Sequence, residues 1–334
     1  MLGIVPGGQV NFVADFARNP AVVSYSPGLI FPQPTSNPLS QNKRFRKPDF
    51  LIIGAQKAGT TWLWNKLSQH PGTVLPDEKE IHFFGSSELY GRGPEWYFAK
   101  FDGIDDQAVT GEASTTYLSD RPAFFYNDVN KLEYDESLPM LPEMVRSMLP
   151  DVKVIVCLRD PVRRAVSAYF HWMRKGELPV SNGIEKTAVN HPRLRLIEMG
   201  DYERHLSEWL RVFPREQILI LSFEADVISD PRSGLRKLYN FIGLQADFVP
   251  EDEKETVHKS WNWTRIVANY YAGPLRRIVN YRPVAGVLNR HDFLRRFAVS
   301  SEDSEYLRKQ YLPQKDTLRE MVGEMVDLWK YGEE

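Results

Sequence analysis

The sequence predicts an α/β fold: a P-loop-like, three-layer arrangement with a central parallel sheet flanked by helices and a C-terminal helical lid. Two observations carry that expectation. Short apolar runs at residues 50–53, 153–158 and 217–223 have the length of buried strands, and each is followed by a segment with apolar residues at helical spacing. Strands that alternate with helices in this way favour a parallel sheet covered on both faces. Moreover, the first run leads into a glycine-bounded loop, Gly54 to Gly59, and then into a helix start at Thr60 and Thr61.

The elements follow in chain order. Residues 1–47 mix proline, glycine, asparagine and serine, end on a basic cluster, and read as an N-terminal extension. The loop after the first strand has little side-chain bulk, so it can turn backbone N–H groups toward an anion at the helix N-terminus. Its glycine spacing matches the G-x-x-x-x-G of a nucleotide-binding loop, but Thr60 stands where the lysine is expected and Lys57 lies inside the loop. A βα turn with a chance lysine is the plain alternative. The helix places Leu63, Trp64 and Leu67 inward and ends at His70-Pro71-Gly72, and a strand is expected at residues 73–75. Lys79-Glu80-Ile81-His82-Phe83-Phe84 then brings a charged pair to the carboxyl-end crevice of the sheet, where α/β ligands bind.

Another strand is expected at residues 107–112, followed by the hydroxyls of Ser114, Thr115 and Thr116. These hydroxyls either line the crevice or cap a turn. After the strand at 153–158, Asp160 and Pro161 form a helix start, and Val162, Val166, Tyr169, Phe170 and Met173 face inward until Gly176. Arg159 at that strand end, with Ser167 two turns into the helix, suits a phosphate; an Arg159–Asp160 surface pair competes with this reading. A helix carrying Leu206, Trp209, Leu210 and Phe213 follows, and another at 231–242 closes on Gly243. From 258 to 298 eight Lys or Arg face one acidic residue, Asp292, with Trp261, Trp263, Tyr270, Tyr271 and Tyr281 interleaved. A solvated face, a nucleic-acid surface and a lid over an anionic ligand are the three readings, and the lid uses these residues most economically.

Composition narrows the function classes. The 334 residues are 42% hydrophobic, enough for one large core, and 42 basic against 44 acidic residues give no global pull toward nucleic acid. The single cysteine, Cys157, excludes an internal disulfide and a multi-cysteine zinc site, and its apolar neighbours mark a buried structural thiol. There is no run of eighteen apolar residues and no leader-like N-terminus, so a cytoplasmic protein without membrane insertion is expected.

Taken together, Gly54 to Thr61, Lys79 to Phe84, and Leu158-Arg159-Asp160-Pro161 with Ser167 resemble the sulfotransferases that use 3′-phosphoadenosine-5′-phosphosulfate (PAPS). The likeness is to the heparan-sulfate type and its bacterial relatives, including domains of polyketide and olefin synthases, and spans about residues 48–260. It implies that Lys57, Ala58, Gly59, Thr60, Thr61 and Trp62 wrap the 5′-phosphosulfate, that Arg159 and Ser167 hold the 3′-phosphate, and that Arg295 adds a C-terminal contact. It further implies Glu80 as catalytic base with His82 beside it, PAP as product, and no metal. The domain would run from 48 to 334, as an α/β core (48–255), a basic lid (256–300) and a helical segment (301–334).

The chemistry of the residues agrees with this likeness. Sulfuryl transfer needs positioning, charge neutralisation and one proton acceptor. Lys57 suits the leaving oxygen, and Glu80 suits the proton if burial raises its pKa. Departures from the heparan enzymes are Ala113, where a lysine commonly follows the glutamate, and the impossibility of their disulfide loop. These departures argue against a substrate like heparan sulfate; a hydroxyl on a small molecule, carbohydrate or carrier-bound acyl chain is expected as acceptor ahead of an amine. The competing functions are a P-loop kinase or NTPase, which requires Mg²⁺ and ATP, and a nonenzymatic nucleotide- or polyanion-binding module.

Overall fold

The structure is a computed structural model and describes residues 45–124, 131–180, 183–251, 263–290 and 299–332. Most of the N-terminal extension, Trp261 and Arg295 therefore lie outside the described residues.

Among the described residues six strands form, β1 (Phe50–Gly54), β2 (Gly111–Ala113), β3 (Ala123–Phe124), β4 (Glu133–Tyr134), β5 (Lys153–Leu158) and β6 (Ile218–Ser222). Four make a wholly parallel sheet in the order β2-β1-β5-β6, and β3 pairs antiparallel with β4 beside it. Every residue of β1 is buried, as expected of a strand covered on both faces. The alternation of side chains divides the core in two. Leu51, Ile53, Val154, Val156 and Leu158 face one layer, with Tyr202, Leu206 and Trp209; Phe50, Ile52, Ile155 and Cys157 face the other, with Trp62, Leu63, Leu67 and Leu238.

The expected helices are present, one of them shorter than expected. The first, α1, covers Thr60–Ser68, and its Leu63, Trp64 and Leu67 are buried. The second, α2 (Pro161–Lys175), starts on Pro161 and stops at Gly176, whose φ of 81° takes the left-handed conformation a glycine supplies at least cost. The third, α3 (Tyr202–Val212), buries Leu206 and Trp209 but ends before Phe213, which still reaches the core. The fourth, α4 (Pro231–Ile242), closes on Gly243 as predicted. Cys157 is fully buried, and burial holds its thiol pKa well above the ordinary value.

Two expected strands are corrected. Residues 73–75 contribute only an isolated bridge, Thr73 to Val109. The run at 107–112 pairs with β1 only from Gly111, because residues 105–108 are drawn into a turn in which the Gln107 N–H donates to Asp105 Oδ1 at 2.8 Å.

Asp160 ties the far end of the chain to the sheet. Its Oδ1 caps α2 by accepting the N–H groups of Val162 (2.9 Å) and Arg163 (3.1 Å), and its Oδ2 accepts those of Lys330 (2.9 Å) and Tyr331 (3.0 Å). It makes no surface pair with Arg159. Asp160→Ala removes all four acceptor contacts and leaves buried donors unpaired. It is expected to destabilise the fold by about 2–4 kcal/mol, read from the urea midpoint. A change below about 0.5 kcal/mol would show the C-terminal tether to be incidental.

Candidate active site

Because all four strands of the main sheet run parallel, their carboxyl ends share one edge, and the segments after Gly54, Ala113, Leu158 and Ser222 meet there. The first is the glycine-bounded loop. Gly59 has φ 89°, and a Cβ on it would stand 3.1 Å from the Phe223 ring, so both the turn and the packing require glycine. The Arg159 guanidinium lies over the same ring, 4.7 Å from its centroid. Phe223 thereby touches both Gly59 of the loop and Arg159, and its place at the end of β6 was the signal available to sequence reasoning.

Lys57 bends the loop with φ 68°. Its carbonyl accepts from Arg159 Nη1 at 3.0 Å. Burial, with the positive charges of Arg174 and Arg159, lowers the Lys57 pKa to about 8. Thr60 is buried at the helix start, Thr61 is half-buried, and Trp62 points into the core behind them. Arg159 Nε is buried without a hydrogen-bond partner, and burial lowers the pKa of its guanidinium. A buried, unsatisfied donor beside a helix N-terminus leaves capacity for an anion. Ser167 is half-buried on α2.

The Lys79–Phe84 segment reaches the same edge without a preceding strand. Glu80 N–H donates to the Ala113 carbonyl at 3.1 Å, and His82 N–H donates to Ser114 Oγ at 3.0 Å. Ser114 in turn donates to Glu112 Oε2 at 2.8 Å, and Glu112 Oε1 accepts from Tyr97 (2.7 Å) and Tyr117 (2.9 Å). Glu112 is wholly buried, which raises its pKa. The His82 ring is 2.9 Å from Thr116 Oγ1 through Nδ1, and its Nε2 is 3.5 Å from Glu80 Oε2. The hydroxyls of Ser114 and Thr116 therefore hold the segment in place. Gly85 makes room for this, since a Cβ on it would stand 2.3 Å from Thr116 Oγ1.

Glu80 and His82 both hold left-handed backbone, at φ 66° and 57°. Each such non-glycine residue costs about 1–3 kcal/mol, and three of them (with Lys57) at one sheet edge mark a built site. The Glu80 carboxyl corrects the expected direction of its pKa. Burial pushes it upward, but the hydrogen bond to His82 and the charge of Lys79, whose Nζ is 2.8 Å from Oε1, leave it well below the usual carboxylate range. Its side chain remains 38% exposed, so the burial effect is moderated.

Sequence reasoning missed the last turn of α2. His171, half-buried, is pushed down to about 3 by burial and by the charges of Lys57, Lys175 and Arg174, so the imidazole is neutral there. Its Nδ1 lies 3.3 Å from Arg174 Nη2. The signal was the i, i+4 spacing from Ser167 to His171. Sequence reasoning also missed Glu224, whose Oε1 accepts the Asp160 N–H at 3.1 Å. The aromatic residues in and after this segment divide: Phe83, Phe84 and Tyr97 are fully buried core, whereas Tyr90 and Trp96 are half-buried at its margin.

Away from this edge, Asp120, Glu198 and His205 bring metal-type donor atoms within 4.8 Å of one another. Arg195 (2.5 Å) and Arg204 (2.9 Å) already occupy Glu198, and His205 lies 3.2 Å from Asp120 and 2.9 Å from Glu198. Burial opposes a charged His205, but its bonds to Asp120 and Glu198 raise its pKa overall. An ion-paired network fits this donor set better than a cation does.

Comparison with known proteins gives the site its context. The family model described as a sulfotransferase domain matches residues 47–272. Human heparan sulfate glucosamine 3-O-sulfotransferase 5 is 29% identical over 205 residues, covering 59% of this chain and 54% of that protein. Human heparan sulfate glucosamine 3-O-sulfotransferase 3B1 is 32% identical over 219 residues, covering 64% and 50%. The chain thus spans about half the length of these curated relatives. Among solved structures, a sulfotransferase from Alicyclobacillus acidocaldarius matches with a TM-score of 0.56 at 26% identity, covering 83% of this chain and 96% of that one.

Proposed function

The chain belongs to the sulfotransferase domain family, and on that premise we propose that it transfers a sulfuryl group from PAPS to an acceptor hydroxyl. The observation that carries the reading is the hydrogen bond from Arg159, which precedes α2, to the carbonyl of Lys57, which precedes α1, with Glu80 held at the same sheet edge by Ala113.

In this reading the N–H groups at Gly59, Thr60 and Thr61 face the 5′-phosphosulfate. Arg159, with its unsatisfied Nε, and Ser167 hold the 3′-phosphate. Lys57 neutralises charge on the oxygen that leaves with PAP, and Glu80 takes the acceptor proton. His82 orients Glu80, and Ser114 and Thr116 hold His82. The residues need no metal for these roles. Arg295, outside the described residues, is retained only on the strength of family resemblance.

The loop argues against the kinase alternative, because its lysine is displaced from the position that serves a terminal nucleotide phosphate. Thermal-shift measurements separate the readings: PAP alone is expected to raise the melting midpoint, whereas ATP with Mg²⁺ is expected to do so only in a kinase. For the 3′-phosphate contact, Arg159→Ala is expected to weaken PAP binding by roughly 2–5 kcal/mol in calorimetry. An unchanged affinity would remove Arg159 from the donor site.

A further inference from the structure

Five of the eleven exposed large hydrophobic side chains among the described residues fall between 271 and 287: Tyr271, Leu275, Ile278, Tyr281 and Val287, each 57–70% exposed. Scattered exposed apolar residues are ordinary, but a concentration of this kind within one short stretch marks an interaction surface. The same stretch is charged with one sign. From 263 to 290 the sequence holds five arginines (265, 276, 277, 282 and 290) and no lysine, aspartate or glutamate, in a chain whose net charge is −2. Arg277 and Arg282 are exposed beside the apolar set.

The helices here, α5 (Trp263–Tyr271) and α6 (Arg282–Arg290), already have an inner face, on which Ile266 and Ala285 are buried. The exposed Tyr271 and Val287 on these helices, and Leu275, Ile278 and Tyr281 in the stretch that connects them, are therefore surplus to the packing of the domain. Helix α5 packs against α2, the helix that carries Ser167 and His171, so the surface adjoins the crevice.

We propose that this surface rests on an anionic lipid bilayer, and that the acceptor hydroxyl is presented by a lipid-anchored or amphiphilic molecule at that interface. The acceptor clause depends on the sulfotransferase reading; the membrane surface does not. Arginines in a stretch of sequence that holds no acidic residue suit lipid phosphates, aliphatic side chains suit the acyl boundary, and tyrosines suit the depth between them. Other occupants fit the charges less well. Residues 1–44 carry Arg18, Lys43 and Arg44 against Asp15, and so would add positive charge to a positive surface. A second copy docked symmetrically would set these arginines against themselves.

The test is sedimentation of the full chain with phosphatidylcholine vesicles, with and without about 30% phosphatidylglycerol. The expected result is binding to the anionic vesicles only, weakened by salt. Arg277→Gln with Arg282→Gln is expected to reduce partitioning about twenty-five-fold, from about fivefold per arginine, and Leu275→Ser with Ile278→Ser is expected to reduce it comparably. All four positions are exposed, so both variants should keep the parent melting midpoint. The proposal is overturned by absence of binding to anionic vesicles, by variants that bind as the parent does, or by self-association or acidic-protein binding that these substitutions abolish in place of vesicle binding. Vesicle binding without a PAP-induced thermal shift would sink the donor reading alone; a PAP shift without vesicle binding would sink only the surface.

Discussion

Glu80→Gln is expected to lower turnover by roughly 10²–10⁴-fold while leaving PAP affinity essentially unchanged. The carboxylate is the group best placed to take a proton: its backbone N–H is fixed to Ala113, and its Oε2 stands 3.5 Å from His82 Nε2. Its depressed pKa determines the shape of the pH profile. A carboxyl whose pKa lies below the usual range is ionised throughout pH 5–8, so deprotonation of Glu80 should impose no acid limb on turnover near neutrality. The same depression makes it a weak base in the free protein, because the hydrogen bond to His82 and then the charge of Lys79, which engages Oε1 at 2.8 Å, favour its ionised form. An acceptor hydroxyl must displace Lys79 or share that oxygen, and base strength rises as the lysine withdraws. Retention of more than about a tenth of parent turnover by the glutamine variant would exclude Glu80 as the principal proton acceptor.

The contrast between Lys57 and Glu80 shows where sequence was legible. The loop from Gly54 to Gly59 was readable because its constraints are local: short apolar strand, glycines at fixed spacing, hydroxyls at a helix start. Asp160, Gly176 and Gly243 were readable for the same reason, since a cap or a left-handed stop acts within a few residues of itself. Glu80 was located in the crevice for a partly mistaken reason, because no full strand precedes it and its position comes from β2 thirty residues onward. Its pKa direction could not be read at all, since that depends on opposing effects of burial, His82 and Lys79. An aromatic pair such as Phe83 and Phe84 carries no local signal that separates a pocket from a core, and their complete burial, with Tyr97 packed against Phe83 at 4.7 Å between ring centroids, places them in the core. Long-range hydrogen bonds, such as that from Arg159 to Lys57, leave no periodicity to detect.

Lys57→Ala is expected to lower turnover by about 10²–10³-fold, since an oxygen that gains negative charge as its bond to sulfur breaks loses the cation placed to meet it. The pH dependence distinguishes this role from simple donor binding. With a pKa lowered to about 8, Lys57 is a cation below that pH and neutral above it, so kcat/KM for the free protein should fall as pH rises through about 8. Arg174 and Arg159 help set that value by repelling the charged amine, whereas a bound anion would attract it. The limb in kcat, which reports the loaded protein, should therefore lie at higher pH than the limb in kcat/KM. Lys57→Arg supplies the decisive comparison, because a guanidinium stays charged across this range. That variant should be slower, through imperfect placement of a larger group in a strained loop, yet should lose the alkaline limb near pH 8. Persistence of the limb at the same pH in Lys57→Arg would assign it to another group and leave Lys57 a structural part of the loop.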